Sequence, residues 1–288
     1  MRPADFAYQG WYPYTKQDCL QHITQFKEQT DPCPEKGYAG IGGIVPHAGW
    51  FFSGRLAYHV LSCLTKGKKP DTIIIFGKHT NPSLTQSGRE NSIMINGTWE
   101  TPLGPLSVDS KLGNLIQNES YLSIETEEEY EFDNTIEVQL PFIKYFFPEV
   151  QILPIGVVAP SEESFLIGSV AVNAAKSIGR EIKLLATTDM THYGPGYGFS
   201  PQGMGEKAVN WVETVNDKKM IDLFLAMDPK RIVREALQNR NCCCSAAVAT
   251  MITALKALNV SQGLKLEYYT SYSIRPNADF VGYAGVLY

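Results

Sequence analysis

Three short stretches of the chain end an apolar, β-type run on a residue able to bind a metal or move a proton: GGIVPHAG at His47, TIIIFGKH at His79, and KLLATTDMTH at Asp189 and His192. In an open α/β sheet the reactive groups collect beyond the carboxyl ends of the strands, so distant segments can converge on one crevice. A cysteine run, NRNCCCSAA, adds sulfur at Cys242, Cys243 and Cys244 just before a helical stretch. The helix dipole favours a thiolate there, so one or two of the three can serve as ligand or nucleophile, the alternative being that they merely pack.

A single histidine past a strand end is more often simply hydrogen-bonded than a ligand. Two in equivalent settings change that balance. Neighbouring strands lie roughly 4.8 Å apart, which would bring His47 and His79 within coordination reach if their strands are adjacent. Asp189 can complete a two-histidine, one-carboxylate triad on iron. It can instead orient a histidine while His192 acts as general acid or base, or it can simply cap a turn.

The elements that must position these groups alternate between short β-branched runs and longer stretches of helical period, the mark of α/β layering. Strands are expected at Ile41 to Pro46, Thr72 to Gly77, Ser92 to Ile95, Gln151 to Val158, Lys183 to Thr188, Leu266 to Ser273 and Val281 to Leu287. Helices are expected at Asp18 to Glu28, from Ser53 to a stop at Gly67, and at Ser107 to Asn118, Ser161 to Ser177, Met204 to Val215, Asp217 to Ala226, Asp228 to Leu237 and Ser245 to Leu258. His22 and His59 fall inside helices and read as structural. The turn-rich pieces THYGPGYGFSPQG and KHTNPSLTQSGREN directly follow candidate site residues, where α/β enzymes keep substrate loops.

Composition bounds the function. With 288 residues, 44% apolar and 19% charged, the chain has the makings of a substantial core. A formal charge of -5 argues against nucleic acid or an anionic membrane as the main partner. The opening residues carry no long apolar run and no stretch approaches a membrane span, so the expectation is a soluble, unexported, cytoplasmic protein of one domain over 1–288. Cys19, Cys33 and Cys63 are scattered and the other three cysteines are consecutive, which reads as no disulfide framework; Cys19 and Cys63 are expected to pack as small hydrophobes.

Other motifs are weak. GIGG at Gly40 to Gly43 leads into a strand instead of joining strand to helix, so it fails the dinucleotide-binding context, and neither a Walker A pattern nor a G-x-S-x-G elbow occurs. The acidic run ETEEEYEFD reads as a solvated loop.

PHAGWFFSG at Pro46 to Gly54 resembles the signature of the Memo family, which is similar in fold to LigB-type subunits of class III extradiol dioxygenases. GWYP at Gly10, WETPLGPLSVD at Trp99, TIEVQLPF at Thr135, TDMTHYG at Thr188 and VGYAG at Val281 follow in the family's order. The resemblance implies an α/β fold with helices packed around a mixed sheet and a metal pocket where these loops meet. It implies His47, His79 and a cysteine of the 242–244 run as ligands, placed at Cys242 with Cys244 as the alternative, and Asp189 and His192 as further pocket residues. In a redox enzyme built on these residues, Glu137 or Asp189 would orient the site and His192 transfer protons. Asn134 stands where the family usually has a histidine, and an amide cannot shuttle protons near neutrality.

Three functions follow as expectations. The first is a metal-dependent, dioxygenase-like redox enzyme using iron or copper. The second is a zinc hydrolase with Asp189 or His192 as base. The third is a non-enzymatic binder of a peptide, small ligand or partner protein. Prokaryotic relatives also suggest, by resemblance, AMMECR1-like and radical SAM proteins as partners.

Overall fold

The computed structural model describes residues 1–84 and 90–288. Part of the expected substrate loop after His79, residues 85–89, lies outside the described residues. A nine-stranded mixed sheet runs through the molecule, assembled from β1 (Gly42–Val45), β2 (Thr72–Gly77), β3 (Ser92–Met94), β6 (Ser123–Glu125), β7 (Gln151–Gly156), β8 (Ile182–Thr187), β9 (His192–Tyr193), β10 (Leu264–Thr270) and β11 (Phe280–Leu287). A separate two-stranded ribbon pairs β4 (Thr98–Trp99) with β5 (Leu106–Ser107).

The spatial order β10-β11-β1-β8-β2-β7-β3-β6 places four parallel strands, β1, β8, β2 and β7, at the centre. Buried on both faces, these strands read as continuous apolar runs such as TIIIFG, which is why the sequence marks them well. On their flanks β11 pairs antiparallel with β1, and β3 with β7. The strands of His47 and His79 are not adjacent: β8, the strand leading to Asp189, lies between them. All three therefore deliver their site residues to the same end of the sheet.

Helices cover both faces. They are α1 (Asp5–Tyr8), α2 (Lys16–Glu28), α3 (Trp50–Cys63), α4 (Ser110–Glu119), α5 (Asn134–Glu137), α6 (Leu140–Phe146), α7 (Glu162–Ser177), α8 (Glu206–Trp211), α9 (Asp217–Ala226), α10 (Pro229–Asn239) and α11 (Ser245–Ala257). Side-chain caps fix several starts: Thr15, Asp109, Ser161 and Asp228 each accept a backbone N–H of the first turn. α3 starts before the expected Ser53, at Trp50, because the Trp50 N–H donates to Trp11 O at 2.8 Å and the indole stacks on Phe142. The expected helix from Met204 is shorter and passes at Val212–Asn216 into a π-helical turn.

Two expectations from the sequence are overturned. Cys63 is not mere packing: it is disulfide-bonded to Cys33, with Cα atoms 5.4 Å apart. Nor is the acidic run only solvated. Glu125 is drawn into β6, where it accepts from Arg2 at 2.7 Å and from Lys78 at 2.5 Å. Among the described residues no helix is long and apolar enough to cross a membrane.

Candidate metal centre

His47 follows β1 directly, past Pro46, and its position is set by three backbone contacts. Its N–H donates to Asp189 Oδ1 at 2.8 Å, its carbonyl accepts from Asn134 Nδ2 at 3.2 Å, and Gln139 Nε2 donates to the preceding Pro46 carbonyl at 2.7 Å. His79 is reached through Lys78, a non-glycine residue with φ of 70°. That left-handed kink is held because the Lys78 N–H donates to Thr135 Oγ1 and its ammonium binds Glu125 and Glu131. The two imidazoles meet edge to face with centroids 5.2 Å apart.

The cysteine run arrives from the other side, at the start of α11. Thr80 N–H donates to the Cys243 carbonyl, and Thr80 Oγ1 accepts from Ala246 N–H, tying the His79 loop to that helix start. Cys244 occupies the N-cap position of α11. One donor atom each from His47, His79, Cys243 and Cys244 lies within 4.8 Å of the other three. The Cys243 sulfur is 3.4 Å from His47 Nε2 and 3.7 Å from the Cys244 sulfur.

Cys242 points elsewhere. Its buried thiol lies 3.2 Å from Thr188 Oγ1, which also accepts from the Cys244 N–H. The donor group thus takes in Cys244, the alternative read from the sequence, together with Cys243 and not Cys242, and Cys244, not Ser245, stands at the helix N-cap. Thr188 was not singled out beforehand. Its position one residue before Asp189, at the end of a buried strand, was the available signal.

Electrostatics separate the three thiols. Burial disfavours a thiolate at Cys243, but hydrogen bonds from Cys244 and the two histidines, with charge on His47, outweigh it and hold its pKa well below the usual thiol value. Burial pushes Cys242 and Cys244 up. For His47 burial acts downward, yet Asp189 and Cys243 raise it to about 9. Cys243 and His47 thus favour each other's charged forms, and a metal would take the place of the imidazolium proton.

Asp189 is buried and outside the four-donor group, with Oδ2 4.0 Å from His47 Nε2. Burial raises its pKa against the pull of His47. His192 turns its Nδ1 towards the Met190 carbonyl at 3.2 Å and packs edge-on to Tyr197. A cavity of about 860 Å³ opens over the group, lined by His47, His79, Asn134, Asp189 and His192 and walled by aromatic residues including Trp11, Tyr14 and Phe51.

The donor set fits a thiophilic cation: two imidazoles and two sulfurs, one of them poised as a thiolate, with His47 Nδ1 buried and without a hydrogen-bond partner. The family model described as Memo-like protein matches residues 2–287. The chain belongs to the Memo family. It is 31% identical to a MEMO1 family protein of Pyrobaculum arsenaticum over 100% of this chain and 98% of that one. A MEMO1 family protein of Pyrococcus furiosus is 31% identical over 85% of each chain, and one of Desulfurococcus amylolyticus 35% identical over 86% of this chain and 82% of its own.

Two residues of the NTIEVQLPF stretch support the cavity walls. Glu137, expected to orient the metal site, turns to the amino-terminal segment: its Oε1 accepts from Phe6 N–H at 2.7 Å and from Tyr12 hydroxyl at 2.9 Å. It thereby anchors the stretch that forms one cavity wall. Asn134, which also lines the cavity, donates from Nδ2 to the His47 carbonyl and so helps to fix that backbone.

Proposed function

We propose that this Memo-family chain is a metal-dependent redox enzyme in which His47, His79 and Cys243, with Cys244 as a further donor, hold copper or iron. The observation that carries this is the gathering of two imidazole nitrogens and two sulfurs within 4.8 Å of one another, with both histidines lining an open cavity. Sulfur with imidazole suits copper(I) and thiolate-tolerant iron, and a bound ion would supply one-electron chemistry and open positions for a small substrate.

The chain's own residues take distinct parts. Asp189 fixes the His47 backbone through Oδ1 and presents a buried carboxylate near its ring. His192, on the cavity wall with Nδ1 against a carbonyl, is placed to move a proton at Nε2. The aromatic wall excludes water from an apolar substrate. This is a dioxygenase-like assignment by site chemistry, since fold alone does not imply a reaction.

The test is anaerobic loading of the purified protein with copper(I), iron(II) or zinc, followed by metal quantification and oxygen uptake with aromatic diols. Retention of copper or iron with oxygen uptake is expected. Stable zinc with hydrolysis of esters or amides, and no oxygen uptake, would replace the redox reading by a hydrolytic one. An affinity for metal that His47→Ala leaves unchanged removes the assignment altogether.

A further inference from the structure

Arg55, His59 and Cys63 recur every fourth residue along α3 and so share one helix face. At this face β10 presents Glu267, whose carboxylate is paired with both terminal nitrogens of Arg55 and stands 3.8 Å from His59 Nδ1. The segment after α2 brings in Cys33, bonded to Cys63. A ring nitrogen of His59 and the two sulfurs all lie within 4.8 Å of one another.

His59 itself is 4% exposed, and neither of its ring nitrogens has a hydrogen-bond partner. Burying a polar group without a partner is costly. Helix packing alone gives no reason for a histidine here, as a leucine would avoid the cost. What the orphaned imidazole has within reach is a pair of sulfurs and a carboxylate, the groups from which a carboxylate–histidine–metal site is built.

We propose that Cys33, Cys63 and His59 form a second, redox-gated site for a thiophilic cation, Zn²⁺ or copper(I), closed by the disulfide and opened by a dithiol reductant. In the opening step the dithiol gives two electrons and two protons to the Cys33–Cys63 bond and becomes a disulfide itself, leaving two protein thiols. Zn²⁺ then displaces both thiol protons to solvent and is held by two thiolates and one neutral imidazole nitrogen, with water in the fourth position. Copper(I) is satisfied by the same three donors. Glu267, 3.8 Å from His59 Nδ1, is the carboxylate that would close on that nitrogen and fix the tautomer with the cation on Nε2. The site shares no residue with the His47 cluster and does not rest on the function proposed for it.

The experiment uses the full chain, reduced with a dithiol, freed of it anaerobically, and divided into samples with no metal, Zn²⁺ or copper(I). Each is alkylated with N-ethylmaleimide, and the rates at Cys33 and Cys63 are read by peptide mass spectrometry. The cation that belongs to the site slows alkylation of both sulfurs by about tenfold or more, because a metal-bound thiolate is a poor free nucleophile. Cys33→Ser, at a half-buried loop position that tolerates a small hydroxyl, and His59→Asn abolish the protection, while Cys243→Ser leaves it intact. Equal alkylation rates with and without both metals overturn the proposal. So does protection of Cys63 that survives in Cys33→Ser or disappears in Cys243→Ser.

Discussion

The backbone N–H of His47 donates to Asp189 Oδ1 at 2.8 Å, while Oδ2 of the same carboxylate stands 4.0 Å from the ring of that histidine. One buried carboxylate thus governs both where the histidine chain emerges and the electrostatics of its imidazole. Asp189→Asn keeps an acceptor for the N–H and removes the charge. Metal affinity, measured by competition with a chromophoric chelator, is expected to fall by about 10–100-fold with little change in thermal stability.

The three consecutive cysteines should separate cleanly. Cys243→Ser removes the sulfur nearest His47 and is expected to cost most of the metal affinity, whereas Cys242→Ser keeps a hydroxyl beside Thr188 and should stay within a few-fold of the parent protein. The same chelator competition ranks the two variants. Equal losses would show that the thiol facing Thr188 also reaches the cation.

Glu137 makes stability depend on pH. Burial raises its carboxyl to about 7, against the opposing hydrogen bonds from Phe6 and Tyr12. The folded chain therefore holds this proton more tightly than the unfolded chain between the ordinary carboxyl value and about 7. Stability falls as pH rises through that window, by about 3 kcal/mol from this group. Glu137→Gln keeps the acceptor oxygen and cannot ionise, so denaturant midpoints between pH 5 and 8 should flatten by roughly that amount.

Gly77 closes β2 where α5 docks. A Cβ there would lie 2.5 Å from both Ile136 Cγ1 and Thr135 Oγ1. Gly77→Ala should cost about 1–3 kcal/mol by chemical denaturation and also weaken metal binding, because Thr135 is the acceptor that holds the Lys78 kink leading to His79.

Much of this site was legible in the residues because buried parallel strands announce themselves as unbroken apolar runs. Thr72–Gly77 coincides with its expected span, and His47, His79 and Asp189 all stand past strand ends. Strand order was not legible, since crossover connections leave no local trace and β8 could enter between β1 and β2 unseen. The cap of α11 lies one residue before the expected Ser245, at Cys244, because thiol and hydroxyl neighbours offer similar local signals. α5 and α6 are too short, and Pro141 too ambiguous, for periodicity to reveal them. The Cys33–Cys63 bond joins a loop to a helix end, a proximity that spacing alone could not disclose.

His47 and Cys243 are 196 positions apart along the chain. During synthesis the amino-terminal imidazoles leave the ribosome long before the sulfur they face, so a nascent chain has no complete donor set to offer a cation. Closure of such a distant contact comes late in folding. Metal capture by this cluster would therefore report that the chain through Cys243 has been made and folded, and fragments ending before the cysteine run should emerge without it.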